Sequence, residues 1–159
     1  MSTDALPQSV LFCCDHNSAR SPMAEGLMKR LYGTQAYVQS AGVQSDREID
    51  GFAIAACAEV GVELARHRAR SFDEMKHRDD LESFDLVVAL SDASLGRAQE
   101  LTRASHVAVE HWPVPDPTAS GEGREARLQA FREVRDLILA RLTDRWGEGR
   151  GVGRGVEPF

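Results

Sequence analysis

Residues 9–31 read SVLFCCDHNSARSPMAEGLMKRL, and the fold turns on how this stretch is divided. Ser9 to Cys13 is short and apolar with a polar stop, the pattern of a buried strand. Pro22 to Leu31 carries Met23, Leu27 and Leu31 four residues apart, which predicts a helix with one apolar face. Ser21 suits the N-cap, Pro22 the first helical position, and Gly33 the end. Between strand and helix lies a small, polar loop.

The same alternation continues. Ala36 to Ser40 is expected as a strand, Ile49 to Val60 as a helix closed by Gly61, and Asp73 to Phe84 as one or two short helices. Asp85 to Leu90 (DLVVAL) is a continuous apolar run of the buried parallel type. Ala93 to Thr102 is expected as a helix, His106 to His111 as a fourth strand, and Trp112 to Gly123, with its prolines and glycines, as a long loop. Arg124 to Trp146 is the longest helix, with Leu128, Phe131, Val134, Leu137, Ile138 and Leu142 assigned to its apolar face and its alternating charges to the wet one. Strand–helix alternation implies one doubly wound α/β domain over residues 1–146, with a four-stranded parallel sheet and flanking helices. The glycine-rich tail, Gly147 to Phe159, has no periodicity and is expected to be mobile.

The 159 residues suit a single core, and the net charge of −6 argues against general affinity for nucleic acid or anionic membrane. No apolar run approaches the roughly 20 residues of a membrane span. The N-terminus MSTDALPQ lacks the basic and apolar regions of a secretory signal, so a cytoplasmic location is expected. Three cysteines, two of them adjacent, make a poor disulfide framework and no metal cluster; a reduced, reactive thiol fits better, and no cofactor is expected.

In such a sheet, ligands bind beyond the carboxyl ends of the strands, where Cys13 and Cys14 lie. A strand–loop–helix unit gathers backbone N–H groups around one point and aims a helix N-terminus at it, which makes an anion site and stabilises a thiolate. Arg20, six positions after Cys14, can hold two oxygens of a tetrahedral oxyanion in a bidentate grip, and Ser21 can donate to the sulfur. Neighbours in a strand face opposite ways, so Cys13 is expected in the core; Cys57, on the apolar second helix, is read the same way.

The run VLFCC-DHNSA-RSPMAEG resembles the signature of the low-molecular-weight protein tyrosine phosphatases and of the arsenate reductases that share their fold. Cys14 matches the nucleophile, and Asn17, Arg20, Ser21 and Pro22 match their motif positions. The resemblance continues through Ser40-Ala41-Gly42, Leu64 to Phe72 (LARHRARSF) and Asp116-Pro117, covering about residues 8 to 145. It implies a phosphomonoesterase acting through a phosphocysteine, most plausibly on protein phosphotyrosine, with Cys14, Arg20 and Asp116 catalytic and Asp116 as the general acid. The loop residues Asp15, His16, Asn17, Ser18, Ala19 and Ser21 would bind the substrate phosphoryl group, or an oxyanion such as phosphate, sulfate or arsenate. It also suggests that His67, within the basic run Arg66, His67, Arg68 and Arg70, supports the loop through Asn17 and Ser40; the alternative for that run is a solvated turn.

Four departures from the pattern matter. Asp15 and His16 stand where the family usually has an apolar or threonine residue and a glycine, and a carboxylate there should repel a dianion. Thr118 and Ala119 replace the aromatic pair that walls a tyrosine slot. Ala19 replaces a second cysteine, and the stretch Ala89 to Ser94 lacks the relay cysteines of thioredoxin-coupled arsenate reductases. Two alternatives therefore stand beside the phosphatase: arsenate reduction with an external small thiol or glutaredoxin, and a degenerate module that binds an oxyanion or phosphopeptide without turnover.

Overall fold

The computed structural model describes residues 5–75, 81–119 and 122–149. Four parallel strands form one sheet in the order β2-β1-β3-β4: β1 Ser9–Cys14, β2 Tyr37–Gly42, β3 Leu86–Ala89 and β4 Ala108–His111. The helices are α1 Arg20–Tyr32, α2 Gly51–Ala58, α3 Phe72–Met75, α4 Asp92–Leu101 and α5 Gly123–Trp146. This is the doubly wound α/β arrangement expected. The chain moves from β1 to β2 on one side, then crosses to β3 on the other, so a crevice opens beyond the carboxyl end of β1.

Alternation along β1 divides the core into two layers. Val10, Phe12 and Cys14 pack with α1, α2 and α5; Leu11 and Cys13 pack on the opposite face with Phe72, Phe84 and Ala98. Cys13 is fully buried, and burial pushes its thiol well above the ordinary range, with Cys14's charge adding and a hydrogen bond from Ser94 opposing. Cys57 is also fully buried, and burial pushes its thiol up to about 12 despite Arg135. Both are core residues, as expected.

Three expectations change. First, α1 begins at Arg20, with Ala19 in the cap position and no side-chain cap; Ser21 lies inside the helix. Second, Leu137 is 47% exposed. Phe131, Val134, Ile138, Leu142 and Trp146 form the buried stripe of α5, and Leu137, one residue before Ile138, is turned about 100° away. Third, the charges of α5 are not merely a wet face. Arg135 is largely buried, donates to the Ala56 carbonyl at 2.9 Å and meets Glu59 at 2.8 Å, pinning α5 to the end of α2. Asp50 caps α2 by accepting from Phe52 N–H at 2.8 Å, and Ser91 caps α4 through a reciprocal pair with Ser94.

The expected short helices between Asp73 and Phe84 are α3 and a 3-10 turn at Leu81–Ser83, with residues 76–80 outside the described residues. Of the expected tail, Gly147 accepts a hydrogen bond from the Tyr32 hydroxyl at 2.7 Å; positions from 150 on lie outside the described residues. Among the described residues no helix is long and apolar enough to cross a membrane.

Candidate active site

Cys14 ends β1 at 2% exposure. The loop that follows turns through Asn17, whose φ of 54° is left-handed, a conformation asparagine tolerates better than most residues. Hydrogen bonds hold it there. Asn17 Oδ1 accepts from the Arg70 backbone N–H at 3.0 Å and lies 3.0 Å from His67 Nε2. An N–H pointing at this atom identifies it as the oxygen, so His67 must carry its proton on Nε2 and donate. Asn17 Nδ2 then donates to Ser21 Oγ at 2.8 Å and Ser40 Oγ at 3.0 Å. Ser40 in turn donates to Glu25 at 2.6 Å, and Glu25 is paired with Lys29.

Asn17 fills one of the two lone pairs of Ser21 Oγ, which lies 2.9 Å from Cys14 Sγ and 3.4 Å from the Ala41 carbonyl. Toward Cys14 as a thiolate, which has no proton to give, Ser21 is the donor. Ser21 N–H also points at Sγ, at 3.4 Å. The sulfur thus takes the place of a capping side chain at the start of α1, which is why Ser21 is drawn inside the helix. Burial holds His67 below the ordinary imidazole value, with Arg70 and Lys29 acting in the same direction and Glu25 and Asn17 opposing.

Arg20 is buried at the start of α1 and donates to the Val114 carbonyl at 3.1 Å, which fixes the guanidinium above the loop. Its Nη2 lies 3.6 Å from Asp15 Oδ2 and 3.8 Å from Asp116 Oδ2. Asp116 follows β4 and points its other oxygen at Thr118, accepting from the hydroxyl at 2.7 Å and the N–H at 3.0 Å. Partial burial pushes the Asp116 carboxyl up, but the Thr118 donors and the charges of Arg20 and Arg47 outweigh it and leave the group below its ordinary value.

The remaining loop residues take different parts. His16 Nδ1 meets Asp46 at 2.8 Å, which ties the loop to the segment after β2 and lowers Asp46. Ser18 accepts at its carbonyl from Asp50 N–H at 2.8 Å, and Ala19 accepts at its carbonyl from Met23 N–H at 3.0 Å. Gly42 lies under the loop, where a Cβ would stand 2.7 Å from Asn17 N and 2.8 Å from His16 C. The basic run divides: His67 turns inward to Asn17, Arg70 gives its backbone N–H to Asn17 and its side chain to the Ser40 carbonyl of β2, while Arg66 and Arg68 are exposed. Trp112 is buried between Phe12 and Trp146 and packs the core rather than walling a substrate.

Sequence reasoning thus brought Cys14, Asn17, Arg20, Ser21, Ser40, His67 and Asp116 to one place. It missed Asp46, Glu25 and the Val114 carbonyl. Glu25, four residues before Lys29, reads as a surface helix pair, and no sequence pattern marks Asp46 or a carbonyl.

The family model described as low molecular weight phosphotyrosine protein phosphatase matches residues 9–146. The arsenate reductase of Shouchella clausii (strain KSM-K16) is 35% identical over 133 residues, 84% of this chain and 91% of that protein. A solved arsenate reductase in its phosphate-binding state superposes with a TM-score of 0.69 at 28% identity, covering 85% of this chain and 93% of the other. The Erwinia amylovora tyrosine phosphatase amsI gives a TM-score of 0.71 at 19% identity, covering 91% and 94%, a likeness of fold.

Proposed function

The chain belongs to the low molecular weight phosphotyrosine protein phosphatase family, and from that premise we propose that it is a cysteine-dependent phosphatase of phosphomonoesters, protein phosphotyrosine above all. The observation that carries the reading is Asp116: its carboxylate reaches Arg20 on the open side of the site, where a leaving oxygen would stand. Loop N–H groups from His16 to Ser21 and the Arg20 fork would hold the three non-bridging oxygens. Cys14 Sγ attacks phosphorus, the bond to the ester oxygen breaks, and Asp116 gives that oxygen its proton. Water then gives a proton to Asp116 and attacks phosphorus, the S–P bond breaks, and Ser21 steadies the departing thiolate.

Asp116 is ionised in the empty site, since Thr118, Arg20 and Arg47 hold it low. A phosphoryl dianion that engages Arg20 removes one of those cations and adds negative charge. Both changes raise the carboxyl toward the protonated state an acid needs.

Arsenate reduction is the second reading, and the 35% identity to a named arsenate reductase favours it. Its own cysteines make a poor internal relay, because Cys13 packs in the opposite layer of the core from Cys14 and Cys57, in the same layer as Cys14, is fully buried on α2. It would need an external thiol. Hydrolysis of para-nitrophenyl phosphate between about pH 5 and 8 separates the readings. Turnover by the wild type, none by Cys14→Ser, and turnover slowed about 100-fold or more by Asp116→Asn support the phosphatase. An inert wild type that consumes thiol only with arsenate present is the reductase. Phosphate binding without either activity is the binding module.

A further inference from the structure

The crevice beside Cys14 opens into a cleft of about 500 Å³, floored by Asp15 and Arg20 and walled by the segments after β3 and β4. Three of its described lining residues are acidic, Asp15, Asp92 and Asp116, and one, Arg20, is basic. Apart from Ser91, the rest of the described lining is aliphatic, with Leu90, Pro113 and Pro115 prominent, and no aromatic ring stands among the described lining residues.

Two of these carboxylates share the same nitrogen. Asp15 Oδ2 and Asp116 Oδ2 both approach Arg20 Nη2, at 3.6 and 3.8 Å. A phosphoryl group that takes the guanidinium fork displaces both from it. Asp116 keeps the Thr118 donors on its other oxygen. Asp15 keeps nothing comparable: its Oδ1 is buried with no hydrogen-bond partner. It is left as a carboxylate beside a dianion, and Asp92, which lines the same cleft, is 96% exposed and 3.4 Å from His111. For a phosphoryl dianion with neutral or acidic flanking residues this arrangement is repulsive. A substrate that brings its own positive charge turns the repulsion into attraction.

We infer that Asp15, with Asp92, selects phosphorylated segments that carry a lysine or arginine beside the phosphoryl group, the methylenes lying on Leu90 and the prolines and the cationic head between the two carboxylates. The inference rests on the phosphatase reading and names the substrate class of that site. Selection falls on charge because the cleft offers a ring no stacking partner.

Phosphotyrosine peptides of one length, with arginine, glutamine or glutamate flanking the phosphoresidue, test it in two ways. Affinity is measured by fluorescence anisotropy on Cys14→Ser, and kcat/KM on the wild type, each also for Asp15→Asn and Asp92→Asn backgrounds. The expected order is arginine over glutamine over glutamate, spanning about tenfold at low salt and shrinking at high salt. Asp15→Asn compresses the order and raises kcat/KM for para-nitrophenyl phosphate, a dianion that carries no cation of its own, a gain that a structural role for Asp15 would not produce. Asp92→Asn compresses the order and leaves that small substrate unchanged. Equal affinities, a reversed order, or an order that survives Asp15→Asn overturns the inference. If the peptides bind Cys14→Ser in the expected order but no phosphoester is turned over, the phosphatase reading fails and the charge selection stands.

Discussion

Ser21 carries the most consequential hydroxyl in the molecule. It donates to Cys14 when the sulfur is the attacking or departing thiolate, which has no proton to give, and Asn17, oriented by an N–H of Arg70 and by His67, holds the hydroxyl oxygen in place. A hydrogen bond to a charged acceptor is worth more than one between neutral groups, so Ser21→Ala should lower kcat by about 10- to 100-fold. KM for para-nitrophenyl phosphate should change much less, because the hydroxyl acts on the sulfur and the phosphoryl oxygens are held elsewhere. Steady-state kinetics of the variant decide the matter, and a KM effect as large as the kcat effect would contradict the assignment. His67 makes a separate prediction about stability. Burial holds it below its ordinary value of 6.5, so the folded chain binds a proton less readily than the unfolded one. Its contribution is full above about pH 6.5 and is lost as pH falls through that value toward the folded one. Urea midpoints should therefore decline between about pH 7 and 5. The decline should be smaller in His67→Gln, which keeps a donor for Asn17 but cannot titrate.

At the scale of elements, the strand β2 shows what the sequence conveys and what it withholds. Its existence is legible from a short run of mixed apolar residues, but its extension to Gly42 is not, because that end is set by the loop it touches. A Cβ on Gly42 would lie 2.6 Å from Gln44 O as well as against Asn17 and His16, all of them backbone atoms that no rotamer change can move. Gly42→Ala should displace the anion loop, weaken competitive inhibition by phosphate at least tenfold, and cost about 1–3 kcal/mol of stability. Inhibition constants and thermal melts measure the two effects together. The same distinction explains the helix starts. Asp50 and Ser91 cap locally, by contacts within three residues, and are readable in principle. The start of α1 answers to Cys14, seven positions away through a turn, so Ser21 looks like a cap in sequence and is not one in space. Alternation in β1 assigned Cys13 and Cys14 to opposite faces correctly because period two is a property of the strand itself. Leu137 and Arg135 were misjudged because the burial of a helix face is decided by its partner, here α2.

The whole molecule gathers its site from several connections at one end of the sheet. The loop after β1 supplies Cys14 and Arg20, the segment after β2 supplies Asp46, the stretch before α3 supplies His67 and Arg70, and the loop after β4 supplies Val114 and Asp116. The layer of α1, α2 and α5 holds these pieces in register from below, and α2 meets the two ends differently. At its start Asp50 N–H reaches the loop at Ser18 O. Past its end, Glu59 receives Arg132 at 2.8 Å and Arg135 at 2.8 Å, both from α5. These attachments lie at opposite ends of an eight-residue helix, about 12 Å apart. Stability and catalysis should therefore separate along it. Glu59→Ala leaves the mostly buried Arg135 without that carboxylate, although Asp136 at 2.8 Å and the Ala56 carbonyl still hold it. Those remaining partners and the partial exposure of Glu59 limit the loss to a drop in Tm of about 2–4 °C. The kcat at 25 °C on para-nitrophenyl phosphate should stay within about twofold of wild type, since the Asp50 attachment is untouched. A drop in kcat that tracks the drop in Tm would mean that α2 transmits strain from α5 to the anion loop, and that the sheet alone does not hold Cys14 and Arg20 in register.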